Sequence, residues 1–439
     1  MVGRTNSETF GGGTWGEKEI SISRENSLMN MAGPKSLSTR IKTRYERDGL
    51  PSILRSGIKL PIYLVNSTIQ ETKTKYIFRR IEARIANRNQ LHNTSNRIPY
   101  GDEESVEISS HRSDLPETFQ SILGSFHRPQ PKVAEITGGK LLWEGSPALS
   151  KNNDIILETA ENEKTILQHR IRTALSERDF NTVLSDIQGK IKRKFDWSTP
   201  LFLLVRHPST NYYHWVVEYL PKLVAFDKYN RQNRETATLL IEKDAPDWVT
   251  ESIKLLGYSE NEWVTWDNKS AQIKHLLVPQ HNSRTRDTPD LPSPNECEFV
   301  KTRANSNLQT NSSSSRYLFI SRQGAEDRRI QNFREVQSLV KQYGFDTCVL
   351  EEMTFVEQVE LFSQADVVLG THGAGLTNII FGDNLCVIEL FPDTDIREHY
   401  FYLSNISNHD YYFLNNETVG LDIVVDTESL RNLLDNIME

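Results

Sequence analysis

The sequence predicts an α/β protein built on parallel sheets and divided into two lobes. Three observations carry that reading. Short apolar runs, such as 201–205 and 366–369, alternate with amphipathic stretches. The runs recur roughly every 20–30 residues, the length of a right-handed βαβ unit. A polar, low-complexity stretch over residues 301–315 splits the alternation in two, as a domain boundary would. No internal repeat of fixed period is present.

Taken in order, residues 1–34 are polar and rich in Gly, Ser and Asn, without the apolar core of a signal peptide, and are expected to be a disordered tail. Residues 35–130 form a basic segment and linker. Positions 35–100 hold fourteen Lys and Arg against four Asp and Glu, leaving −18 on the rest of a chain whose total is −8. Positions 101–130 are polar and read as linker. Residues 131–310 are expected to form the first α/β domain, with strands at 132–143, 154–157, 201–205, 238–241 and 273–278. Helices fall at 161–184, at 211–229 with a kink near Pro221, and at 247–256, ended by Gly257.

Residues 311–439 repeat the pattern more clearly. Strands are expected at 317–320, 345–350, 366–369 and 386–390. A helix over 332–343 is closed by Gly344. Another over 355–364 opens on a Thr354–Glu357 capping box. The chain therefore reads as two nucleotide-binding-type domains facing each other across a cleft.

Bulk properties exclude several classes. Mean hydropathy is −0.54 and no run of about 18 apolar residues occurs, so no transmembrane helix is expected. Cys297, Cys348 and Cys386 are isolated and odd in number, which argues for reduced, buried thiols rather than a disulfide framework or a zinc site. A cytoplasmic location follows as an expectation. The basic segment calls for an anionic surface. Around residues 50–65 it mixes basic and apolar residues, which suits either peripheral contact with anionic lipid or a solvated helical region packed on the main body. Nucleic acid is disfavoured, because aromatics are sparse among these basic residues.

Four constellations could carry chemistry. In the first, the apolar run 367–369 stops at Gly370, and Thr371-His372-Gly373-Ala374-Gly375-Leu376-Thr377-Asn378 follows. That is a buried strand turning into a helix N-terminus, where backbone N–H groups and the helix dipole can hold an anion, and where glycines admit a close ligand. It matches neither GxGxxG nor a P-loop, and a plain structural turn would use the same glycines. In the second, His214 and Glu218 follow Asn211-Tyr212-Tyr213 and lie four apart on one helical face. A carboxylate one turn from an imidazole can form a general-base unit or a purely structural pair. In the third, Arg322 ends the apolar run 317–320, where a guanidinium can grip a diphosphate. In the fourth, Glu389 sits inside the apolar run 386–390 and needs a partner, which could be ribose hydroxyls or backbone donors. Asp393-Thr394-Asp395 could suggest a metal-held diphosphate, but it lies in a polar turn after Pro392, where Asp is common.

Together these blocks resemble glycosyltransferase family 61, in order and spacing, over roughly residues 130–415. They are Asn211 to His214 with Glu218, Ile320-Ser321-Arg322, and the run from Glu357-Gln358 through His372 to Asn378 and on to Ile388-Glu389-Leu390. The resemblance implies a GT-B fold of two facing Rossmann-like domains, with an N-terminal acceptor domain and a C-terminal donor domain. It implies inverting transfer from a nucleotide sugar, with no obligatory metal and no further cofactor. On that reading His214 or Glu218 is the base. Arg322, His372 and the N–H groups of Gly373, Ala374, Gly375 and Leu376 face the donor diphosphate. Glu389, Asn378 and Asn211 face the ribose or sugar. The partners would be a nucleotide-sugar donor and a glycan or lipid-linked acceptor at the inner face of a membrane. Glu218 stands where plant members carry Asp, so its reach is one methylene longer. A scaffold that has lost catalysis is the competing reading. An α/β-hydrolase is excluded by the lack of a Gly-x-Ser-x-Gly elbow.

Overall fold

The structure, a computed structural model, describes residues 62–85, 96–110, 112, 114–143, 148–156, 164–204, 211–280, 291–308 and 316–438. The chain divides into two units, residues 1–69 and 70–439. Of the first, only residues 62–69 are described, as the start of the helix Ile62–Ile85. The expected tail at 1–34 and the basic stretch at 35–61 lie outside the described residues. No described helix is long and apolar enough to cross a membrane.

The second unit holds two main sheets and a hairpin. The first sheet contains β1 (Asn96–Pro99), β4 (Lys132–Leu141), β5 (Lys194–Phe195), β6 (Leu201–Leu203), β7 (Thr238–Glu242), β8 (Trp263–Trp266) and β9 (Ala271–Pro279). Its order is β1-β4-β9-β6-β7-β8, with β5 on β9. The strands β9, β6, β7 and β8 run parallel, whereas β4 pairs antiparallel with β9 and β1. Every residue of β6 and β7 is buried. That is why these strands appear as continuous apolar runs rather than as alternation.

The second sheet contains β10 (Arg316–Ile320), β11 (Phe345–Cys348), β12 (Ala365–Thr371), β13 (Cys386–Pro392), β14 (Asp410–Val419) and β15 (Asp422–Val424), in the order β11-β10-β12-β13-β14-β15. All neighbours are parallel except β14 and β15. Helices cross between the strands. Phe333–Gln342 buries Val336, Leu339 and Val340 and is followed by Gly344 at φ +83°. Phe355–Ser363 opens on the Thr354–Glu357 capping box. The strand order reverses between β10 and β12. Ligands in such sheets bind at this reversal, outside the carboxyl ends of the strands.

Several expectations are corrected. The helix expected over 161–184 is two helices, Lys164–Glu177 and Phe180–Ile187, because Asp179 caps the second by accepting the Thr182 N–H. Of the expected strand at 154–157, the described residues 154–156 hold a single bridge at Ile155. Residues 104–128, polar enough to read as linker, hold the antiparallel hairpin β2 (Glu104–Ile108) and β3 (Gly124–Arg128). Only alternate residues of β2 are buried, so its composition stays polar. Residues 301–306 continue the helix Pro294–Ser306, and 309–315 lie outside the described residues. One buried apolar cluster runs through both sheets, with Phe202, Trp215 and Leu239 on one side and Val368, Phe381 and Phe391 on the other.

Candidate active site

The helix after β6 begins at Asn211, whose exposed side chain accepts the His214 N–H at 3.4 Å. Asn211 therefore caps a helix through Oδ1. A single turn, Tyr212–His214, widens into a π-helical turn at Trp215–Tyr219 and tightens to 3₁₀ geometry at Leu220–Lys222. The cause is Pro221, which cannot donate to the carbonyl one α-turn back. Instead the Leu220 N–H bonds the Trp215 carbonyl. Trp215, Val216, Val217 and Tyr219 are buried, which leaves His214 and Glu218 on the open side. His214 Nδ1 lies 2.9 Å from Glu218 Oε1, with the two side chains 35% and 12% exposed. Glu218 also lines a small cavity with Leu203, Leu204, Tyr219, Lys222, Val278 and Pro279. Leu203, Leu204, Val278 and Pro279 stand at the carboxyl ends of β6 and β9, the point where the first sheet reverses.

At the reversal of the second sheet, Arg322 follows β10 and the glycine turn follows β12. The Arg322 side chain is 16% exposed and Nη2 bonds Asp327 Oδ1 at 3.1 Å. Its Nε is buried without a partner. Burial first, then the neighbouring Arg328, disfavours the Arg322 charge. A Cβ on Gly373 would lie 2.1 Å from Arg322 Nη1. On Gly375 it would lie 2.8 Å from Leu350 Cδ1, and on Gly370 3.2 Å from Ile320 Cβ. The glycines thus make room for protein atoms, Arg322 above all. The close approach expected for a ligand is made by these side chains.

Other members of the expected set are committed inside the protein. Leu376 is 1% exposed and its N–H bonds the Gly373 carbonyl, so it cannot face a diphosphate. Asn378 is fully buried. Its oxygen accepts the Tyr212 hydroxyl at 2.6 Å, and its nitrogen donates to Gln358 Oε1 at 2.8 Å and the Gly375 carbonyl at 3.2 Å. It joins the two halves of the unit rather than contacting a sugar. Glu389 is also fully buried, with Oε1 2.5 Å from His372 Nδ1 and Oε2 accepting the Tyr411 hydroxyl at 2.5 Å. Its partner is a histidine, not a ribose. Ala374 and Gly375 are half-buried and open the 3₁₀ helix Ala374–Phe381, where the first amides have no acceptor within the helix.

The structure adds residues that sequence reasoning missed. Tyr400 donates its hydroxyl to the Gly373 carbonyl at 2.6 Å. The Tyr213 ring meets the His399 ring edge-on at 5.0 Å, and His399 stands 5.9 Å from His372. His399 Nδ1 is buried without a partner, and burial pushes this imidazole down to about 4. Tyr213 also packs edge-on against His214 at 5.4 Å. The His214–Glu218 pair and the glycine turn are therefore linked through aromatic contacts. No spacing signals His399 or Tyr411, because the crossover from β13 to β14 brings them in. Asp393 accepts the Thr418 hydroxyl, and Asp395 pairs with Arg397 at 2.9 Å.

The fold and the site define an α/β protein with an arginine packed on a glycine turn at one sheet reversal, joined through aromatic contacts to a histidine–carboxylate pair at the other. Residues 212–388 match the family model Glycosyltransferase 61, a span that holds His214, Glu218, Arg322 and the glycine turn. Over this stretch the chain is similar to glycosyltransferase family 61, and the match supports a glycosyltransferase. No curated protein matches the chain.

Proposed function

We propose that the protein is an inverting, metal-independent transferase of GT-B type. It moves a sugar from a nucleotide-sugar donor to a hydroxyl of a glycan or lipid-linked acceptor, in surface polysaccharide or glycoconjugate synthesis. The observation that carries the reading is Arg322, a half-buried guanidinium whose buried Nε has no partner among the described residues, held against Gly373 where the second sheet reverses. A half-buried cation of that kind is stabilised by an anion, and a diphosphate fits the fork of a guanidinium.

The chemistry proceeds as a single displacement. His214 takes the proton of the acceptor hydroxyl. Glu218 is the less exposed of the pair and accepts from Nδ1–H, which places the lone pair on Nε2. Glu218 therefore orients and His214 reacts. Arg322 and the amides of Ala374 and Gly375 meet the charge that develops on the departing diphosphate. Asp393 and Asp395 hold Thr418 and Arg397, which supports giving this charge to Arg322 rather than to a carboxylate-bound metal.

Part of the basic segment supports a peripheral role at an anionic membrane. The helix Ile62–Ile85 buries Ile77, Phe78 and Ile81 while Lys75, Arg79 and Arg80 remain exposed. Calorimetry with UDP-, GDP- and dTDP-sugars, followed by transfer assays with EDTA, tests the whole reading. Activity that survives EDTA is the expected result. Loss that Mn²⁺ restores overturns metal independence, and no binding to any donor favours the scaffold.

A further inference from the structure

We propose that His372 is the acid of the reaction, giving its Nε2 proton to the phosphate oxygen that leaves the sugar, with Glu389 and Tyr411 as its positioning residues. The proposal rests on the nucleotide-sugar reading above and assigns a role to a pair that reading leaves unused.

Glu389 sets the first constraint. It lies within β13 at 0% exposure, where an ionised carboxylate is costly without a counter-charge. Two groups touch it. Tyr411 donates its hydroxyl to Oε2 and stays a neutral phenol, since burial holds its ionisation far above the usual range. His372 faces Oε1 at 2.5 Å and is the one basic partner. The pair is therefore neutralised by a proton on the imidazole. Nδ1 is committed to Glu389, so the proton available for transfer is the one on Nε2. The ring is held in place by Phe391, stacked at 5.3 Å, and by Tyr400 at 5.2 Å.

The neighbour that follows His372 is Gly373, against which Arg322 packs. Two cations thus stand at the same turn with different abilities. A guanidinium stays charged and can only hold a diphosphate. An imidazolium can also hand its proton to a departing oxygen. The step balances as follows. The bond from the anomeric carbon to the diphosphate oxygen breaks with its electron pair on oxygen, which takes the His372 Nε2 proton. The acceptor oxygen bonds the anomeric carbon and its proton passes to His214. The chain then carries two histidine–carboxylate pairs, one for each end of the displacement.

The charged and titratable groups around His372 come from every neighbouring element. They are Glu389 on β13, His399 and Tyr400 on the helix His399–Ile406, and Asp395 before that helix, while Tyr411 on β14 reaches Glu389 and Arg322 after β10 packs on the next residue, Gly373. Glu389 is the carboxylate in direct contact with the ring, so Glu389→Gln is the isosteric probe.

The test uses the full chain. UDP, GDP and dTDP are titrated by calorimetry from pH 5.5 to 9, and the sugar nucleotide of whichever binds is followed in steady state. His372→Gln and Glu389→Gln are expected to lower kcat by about 100-fold or more, as for loss of a general acid, with donor KM moved less than about threefold. The wild-type rate should fall on the alkaline side. His372→Gln should lose that limb. A retained alkaline limb in His372→Gln, or a loss confined to KM, overturns the proposal alone. Failure of all three nucleotides to bind overturns the nucleotide-sugar reading and this proposal with it.

Discussion

The guanidinium of Arg322 occupies the space that a side chain at Gly373 would need. An added Cβ there would sit 2.1 Å from Nη1 and 2.8 Å from Cζ. Gly373→Ala should therefore push Arg322 off the turn without disturbing the strands. Hydrogen bonds to charged groups contribute about 1.5–3 kcal/mol, so donor affinity should fall by about tenfold or more. Arg322→Lys should lose a similar amount, because a point charge replaces a fork. Calorimetry against the nucleotides, with circular dichroism as a check on folding, reads both effects. Wild-type affinity in Gly373→Ala would show that Arg322 has no part in donor binding.

The His214–Glu218 pair should separate chemistry from binding. Removing a general base costs about 100- to 10,000-fold in rate. His214→Ala should fall in that range, and Glu218→Gln, which alters only the orienting group, should fall less. Donor KM should stay near the wild-type value in both. If Glu218→Gln loses more turnover than His214→Ala, the roles are reversed and the carboxylate is the base.

Much of this site was legible in the sequence, for reasons that separate local from non-local information. Glu218 follows His214 by four residues, so helical geometry brings them together, and the expected kink at Pro221 became the π and 3₁₀ turns. The capping box at Thr354 and the stop at Gly344 are also local and were found. Glu389 was recognised as needing a partner, but that partner is seventeen residues back, just past the end of the neighbouring parallel strand, where the register of β12 with β13 places it. Asn378 looked like a ligand residue because it sits in the turn. Its burial depends on Tyr212, which lies 166 residues away. The strands β1 to β3, β5, β8 and β15 were missed because they are short, and β14 because half of its ten residues are polar.

Asn378 should behave as a structural residue. Its amide joins Tyr212, Gln358 and the Gly375 carbonyl. Asn378→Ala leaves the Tyr212 hydroxyl and the Gln358 amide oxygen buried without these bonds, at a cost of about 1–3 kcal/mol for each unsatisfied group. Urea unfolding should show a lower midpoint with an unchanged slope, while nucleotide affinity in the folded protein stays close to wild type. Unchanged stability with lost affinity would return Asn378 to the donor site.

Stability should rise with pH between about 4 and 6.5, and His409 gives the cleanest reason. Its Nδ1 accepts the Leu385 N–H at 3.1 Å, and its Nε2–H donates to the Ile379 carbonyl at 2.9 Å, so the buried ring is the neutral tautomer. Burial pushes it down to about 4, against 6.5 for the exposed side chain. Between those values the unfolded chain binds a proton that the folded protein refuses. The contribution is present in full above 6.5 and is lost as pH falls toward 4. One histidine of this kind contributes a slope of at most about 1.4 kcal/mol per pH unit, and His399, held near 4 by the same cause, adds to it. Urea midpoints measured from pH 4.5 to 8 should follow this rise in the wild type. His409→Gln should flatten it, and the difference between the two curves removes the carboxylates common to both. Parallel curves would mean that His409 is already protonated in the folded protein and that the Leu385 amide finds another acceptor.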